Sequence, residues 1–174
     1  MTEELSKQNT EEDSEIEVSY SDYQSVKHFC ILNLFSLGLY SFFWFYKHWQ
    51  FLRDEKKFDI NASFRTTLTL FYGYSLFKNF YILAIEKGYK RKPAFGILFI
   101  FYIIVIILSR IPENFWGLLS IFSFLLLIPV HKMINFYYLN EQVNFRIRVK
   151  LGKGEKIFLT VFWSIVILIS INYN

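Results

Sequence analysis

The sequence predicts an all-α, polytopic integral membrane protein with three to four transmembrane helices and amphipathic helices on its cytoplasmic face. Three observations carry that expectation. The chain of 174 residues is 53% hydrophobic and 21% aromatic, whereas a soluble domain is about 45–50% apolar. Its apolar residues arrive in long blocks rather than in the alternating or 3.6-residue rhythm of half-buried elements. Its basic residues flank those blocks instead of forming one continuous face, which argues against a nucleic-acid partner.

The elements follow in chain order. Residues 1–27 form a polar, acidic tail that cannot bury enough surface to fold, so disorder is expected there. Over residues 1–28 eight acids face Lys7 and Lys27, a net charge of minus six, which leaves plus ten for the remainder. The tail lacks the basic stretch and apolar core of a cleaved signal peptide. The membrane domain is expected over 28–174. Its lone cysteine, Cys30, excludes an internal disulfide framework and a Cys-cluster metal site.

Block 29–46 is apolar but interrupted by Asn33, Ser36, Gly38 and Ser41. It either spans once or dips in, turns near Ser36–Gly38 and returns as a second helix from Tyr40. From Phe42 onward, Phe42, Phe45, Trp49 and Leu52 share a helical face, with Lys47, Gln50 and Asp54 on another. That pattern reads as an interfacial helix, with Trp44, Tyr46, Lys47 and Trp49 as anchors at the headgroup level. Segment 63–85 holds Lys78 and Asn79, costly at mid-bilayer, and basic clusters lie at both of its ends. It is therefore expected to lie along or dip into the cytoplasmic leaflet, with Leu70, Tyr74, Phe77, Tyr81 and Ile85 as the face towards lipid or protein.

Spans are expected at 93–110, 115–130 and 156–172, with Lys92, Arg110, Trp116, Lys132 and Lys156 anchoring their ends. The short link 110–114 makes the first two an antiparallel hairpin. Pro93 opens one helix, and Pro129 is expected to stop or bend the other. Residues 131–150 read as interfacial, with Met133, Phe136, Leu139, Val143 and Ile147 in a stripe. Connections 47–93 and 131–156 hold ten and six Lys and Arg residues, against Arg110 alone in the hairpin loop. Both large connections are thus expected on the cytoplasmic side of a bacterial inner membrane.

This order of segments resembles a family of small bacterial integral membrane proteins with an early Gly-Leu/Ile-Tyr turn followed by an aromatic Trp-Phe-Tyr-Lys helix. The residues that carry the resemblance are Gly38, Leu39, Tyr40, Trp44, Phe45, Tyr46, Lys47 and Trp49, then Phe64 and Arg65, then Tyr74 to Lys78. Pro129, Val130, Ile134, Asn135, Leu139 and Asn140 complete it. The likeness covers most of 28–171, excludes the acidic tail and implies a multi-helix membrane fold. The candidate functional motif is Gly38, Tyr40, Trp44, Tyr46, Lys47, Lys78, Asn135 and Asn140.

Signs of chemistry are sparse. His28, His48 and His131 lie near the ends of apolar blocks and read as interface polarity, with no mutual helical spacing to hold a metal. Ser120, Ser123, Thr160, Ser164, Ser170, Asn33 and Ser36 could line a pore, but small polar residues also serve ordinary helix packing. The sequence has no Walker loop, GxSxG, HExxH or GxGxxG signature, and no cofactor is expected. The function expected is that of a non-enzymatic membrane subunit or scaffold. Its partners would be the bilayer, anionic headgroups at the basic loops, and a protein partner or a second copy. The alternatives are an oligomeric pore or membrane-perturbing effector, and a lipid-handling enzyme with a site around His48 and Asp54.

Overall fold

The computed structural model describes residues 21–111, 121–142, 146–147 and 151–172, and the regular structure in them is helical apart from a bridge at Arg146. Ser25 opens α1, Val26–Phe35, its hydroxyl accepting from the His28 amide at 3.2 Å. A Schellman turn ends it: the Gly38 amide donates to the Asn33 carbonyl at 2.7 Å and the Leu37 amide to that of Leu34 at 3.2 Å. Leu37 (φ 53°) takes the left-handed position that glycine usually fills, and Gly38 follows at φ 86°. The Ser36 hydroxyl accepts from the Tyr40 amide, and Ser41 donates to Asn33 Oδ1, both at 2.8 Å. The chain thus leaves the turn as a second helix, α2, Tyr40–Asp54. Of the two geometries open to 29–46, the turn is the one adopted.

α2 buries Tyr40, Ser41, Trp44, Phe45, His48, Trp49, Phe51 and Leu52. That face is wider than the expected stripe, from which Phe42 is missing because it is exposed. Trp44 (1% exposed) and Trp49 (0%) are therefore core rings, which corrects their assignment as headgroup anchors. Protein surrounds them: Trp44 packs edge-on to Phe45 at 5.1 Å, and the Arg65 guanidinium covers Trp49 at 4.8 Å.

Segment 63–85 is two helices, α3 (Ala62–Thr67) and α4 (Thr69–Glu86), separated at Leu68. Asn61 caps α3, its side chain accepting from the Phe64 amide at 3.0 Å. α4 buries Thr69, Gly73, Leu76, Phe77, Phe80 and Ala84. Of the residues expected to face lipid or protein, Phe77 is packed inside the protein while Leu70, Tyr74 and Ile85 are exposed. The cause is packing on two sides, since Phe77 meets Phe45 on α2 and Phe99 further on, at 5.9 and 5.6 Å. Gly88 (φ 89°) then ends α4, with the Tyr89 amide reaching the Ala84 carbonyl at 2.9 Å.

α5 is Phe95–Leu108, within the expected 93–110. Residues 112–120, including Trp116 and Ser120, lie outside the described residues. The rest of the 115–130 block passes through a 3-10 segment, Ser123–Leu127, into α6, Ile128–Glu141. Pro129 sits in the first turn of α6 and so opens a helix rather than ending one, because its missing amide costs nothing there. α6 buries Val130, His131, Met133, Ile134, Asn135, Tyr137 and Tyr138, which makes it a core helix where an interfacial one was expected. Rings close on it from three helices: Phe29 of α1, Phe51 of α2 and Phe80 of α4. Of the stripe expected there, Leu139 and Ile147 are exposed and Val143 is outside the described residues.

α7, Lys153–Asn172, buries none of its residues. Among the described residues it is the one helix long and apolar enough to cross a membrane, while α1 and α5 are apolar but shorter. At about 1.5 Å per residue its 20 residues match a hydrocarbon layer of roughly 30 Å, whereas the 14 of α5 extend about 21 Å.

Candidate functional site

The polar groups of the core meet where the strap 21–25, α2, α6 and the foot of α7 converge. Its centre is His131, one turn before Asn135 on α6. The Trp44 indole N–H donates to His131 Nδ1 at 3.0 Å. Nδ1 is thus an acceptor, so the ring proton sits on Nε2 and donates to the Gln24 carbonyl at 2.8 Å. Asn135 reads the same backbone, its Nδ2 donating to the Gln24 carbonyl at 2.6 Å and its Oδ1 accepting from the Gln24 amide at 3.3 Å. Phe29 stacks on the imidazole at 4.5 Å. Burial pushes His131 down to about 4, with Lys47 adding to the effect and the Gln24 carbonyl opposing it.

The side chain of Gln24 carries the junction outward. Its Nε2 donates to Tyr40 Oη at 2.6 Å and to Glu155 Oε1 at 2.8 Å, and Tyr40 Oη donates to the same oxygen at 3.1 Å. Glu155 Oε2 accepts from the Gly152 amide at 2.8 Å. One carboxylate at the foot of α7 is therefore held by the strap, by α2 and by its own turn. Phe158 adds apolar contact, 5.8 Å from Tyr40 and 5.4 Å from Phe43. The strap is clamped again where Ser21 Oγ and the Asp22 amide both donate to Gln142 Oε1 at 2.8 Å, and Lys47 reaches Asp22 Oδ1 at 3.4 Å. Residues 21–27 are thus ordered, which corrects the expected extent of the disordered tail; residues 1–20 lie outside the described residues.

His48 lies one turn beyond Trp44, their rings 4.4 Å apart, with Phe80 and Tyr138 around it. Neither of its nitrogens has a hydrogen-bond partner among the described residues. Burial holds its pKa well below the usual value, with Lys47 and His131 acting the same way. His48 and His131 are core residues, not the interface polarity expected of them, because each packs against rings as an apolar body. His28 is half-buried in the first turn of α1.

The remaining candidates disperse. His48 is buried while Asp54 is exposed and paired with Arg53 at 2.7 Å, so the proposed catalytic pair does not converge. Among the described residues no group of three His, Cys, Asp or Glu side chains could hold a metal. Thr160, Ser164 and Ser170 donate back to the carbonyls of Lys156, Thr160 and Val166 within α7, at 2.8 to 2.9 Å. Asn33 and Ser36 belong to the α1–α2 turn, and Ser123 is buried. Of the motif, Gly38 shapes that turn, while Tyr40, Trp44 and Asn135 meet at the junction. Lys47 pairs with Asp22, and Tyr46 is half-buried. Lys78 is exposed on α4, and Asn140 is exposed with its Nδ2 on the Phe136 carbonyl at 2.7 Å. Lys92, Arg110, Lys132 and Lys156 are exposed.

At the opposite end, Glu141 accepts from both Lys56 and Lys87 at 2.5 Å, tying the chain after α2 and the end of α4 to α6. Those two ammonium groups hold its carboxyl at about 2.

No protein-family model, curated protein or solved structure matches the chain.

The sequence reading missed Gln24, Gln142 and Glu155. Glu155 alone carried a signal, as an acid at the head of an apolar block otherwise flanked by lysines.

Proposed function

We propose that this is a non-enzymatic, multi-pass membrane protein of a bacterial inner membrane, serving as a subunit or scaffold. α7 crosses the bilayer, α5 enters it, and the α1–α2 turn dips in from the cytoplasmic side. The charged ends of α2, α4 and α6 then face the cytoplasm and meet a protein partner or a second copy. The observation that carries this reading is α7, 20 residues long with none buried and, among the described residues, with its polar hold on the rest of the protein at Glu155 at the foot. An apolar helix left so open in water would expose far more contiguous apolar surface than a soluble monomer tolerates.

Two further features support it. Leu34, Phe35, Leu37 and Leu39 are exposed at the α1–α2 turn, and Ile97, Ile100, Phe101 and Ile107 are exposed along α5. The junction favours a structural role, because both nitrogens of His131 are engaged in holding Trp44 and the Gln24 backbone.

Mass measurement by light scattering on the full chain in mild detergent tests the scaffold. The expected result is an oligomer or a stoichiometric complex, lost when the exposed Glu55 and Glu86, at the ends of α2 and α4, are both changed to Lys. A lone monomer at all protein concentrations, with no partner retained from the membrane fraction, contradicts it.

A further inference from the structure

Between α4 and α5, residues 89–93 run beside α6 and enclose a pocket of about 380 Å3. Arg91, Lys92 and Lys132 line it, together with Tyr89, Pro93 and Pro129, and among the described residues no acid does. None of its three cations is in a salt bridge among the described residues, whereas Lys47, Lys56 and Lys87 are each met by a carboxylate. The pocket thus gathers positive charge in a concavity, an arrangement that raises the local concentration of anions. α5 begins at its edge, and the exposed Ile97, Ile100 and Phe101 follow one to two turns along.

We propose that this pocket binds the phosphate of an anionic phospholipid headgroup, with the acyl chains lying along the exposed face of α5. The guanidinium of Arg91 offers a planar fork for two phosphate oxygens, Lys92 and Lys132 supply compact charges, and the Tyr89 hydroxyl adds a donor. The proposal rests on the membrane reading above, because that reading sets the apolar face of α5 in hydrocarbon beside a headgroup.

The test compares the full chain with an Arg91→Gln, Lys92→Gln, Lys132→Gln variant. A control of equal charge carries Lys27→Gln, Arg53→Gln and Lys57→Gln. Each is reconstituted into phosphatidylcholine nanodiscs with a minor share of phosphatidylglycerol or phosphatidic acid, and lipid retained on release is counted by native mass spectrometry. The expected result is retention of anionic lipid by the wild type and the control, and loss of roughly a hundredfold in affinity in the pocket variant, from about 1 kcal/mol per cation. Equal retention by all three, or equal loss in the control, overturns the proposal. A second arm follows the phosphorus resonance of inorganic phosphate mixed with the detergent-solubilised chain. Broadening that the pocket variant abolishes, without lipid retention, assigns the pocket to free phosphate and overturns the lipid source. If the chain fails to enter nanodiscs, the membrane reading has failed instead, and absence of broadening then removes the pocket as well.

Discussion

His131 is neutral because two neighbours define its tautomer and the core excludes water. Its folded pKa of about 4 lies below the ordinary value near 6.5. The unfolded chain therefore binds more protons between those values, and stability rises with pH across that window. Stability is fully present above about 6.5 and is lost as pH falls towards 4, by on the order of 3 kcal/mol from His131, with His48 acting in the same direction. Denaturant melts in detergent from pH 7 to 4 should show that loss, and His131→Gln should flatten it; an unchanged slope would contradict the buried neutral imidazole. Trp44→Phe keeps an aromatic ring but strands His131 Nδ1 and leaves part of the indole volume empty, so it is expected to cost at least about 1–3 kcal/mol in the same melts at neutral pH. At this scale the sequence was legible in residue type but not in place. Tyr40, Trp44 and His131 join an apolar body to a polar tip, which suits a headgroup layer and a buried polar junction equally well. Only the partners Gln24 and Glu155, more than 100 residues apart in the chain, decide between them.

Helix existence was legible from apolar density and from local punctuation such as Gly38 and Pro93. Helix facing was not, since a stripe assumes one packed side and α2, α4 and α6 each have several. α4 shows this through Gly73, where an added Cβ would stand 2.5 Å from Phe99 Cε2. At Gly96 the nearest such atom, Tyr74 Cε2, is 4.0 Å away. Gly96→Ala should therefore stabilise the protein by up to about 1 kcal/mol through helix propensity alone. Gly73→Ala should forfeit that gain, and Gly73→Val should cost about 1–3 kcal/mol by forcing α4 from α5. Equal thermal shifts for the two alanine variants would contradict the close α4–α5 approach. Pro129 illustrates the other ambiguity, because a proline between two apolar runs marks a boundary without saying which helix it belongs to.

Across the whole molecule, apolar and charged ends are separated. The α1–α2 turn, the length of α5 and α7 from Ile157 onward present apolar side chains outward. The far ends of α2, α4 and α6 carry Arg53, Asp54, Lys56, Lys87 and Glu141. Block hydrophobicity and the Lys/Arg count made that polarity readable, whereas the division into one long exposed helix and a compact aromatic bundle depends on contacts far apart in sequence. The claim on which the account rests is that hydrocarbon surrounds α7. It is tested most directly by labelling with a membrane-impermeant maleimide in a Cys30→Ala background, with single cysteines at Ser164, midway along α7, and at Lys57. In sealed, inside-out vesicles Lys57→Cys should label at once and Ser164→Cys only after detergent is added. Rapid labelling of Ser164→Cys in intact membranes, at the rate of Lys57→Cys, would contradict it.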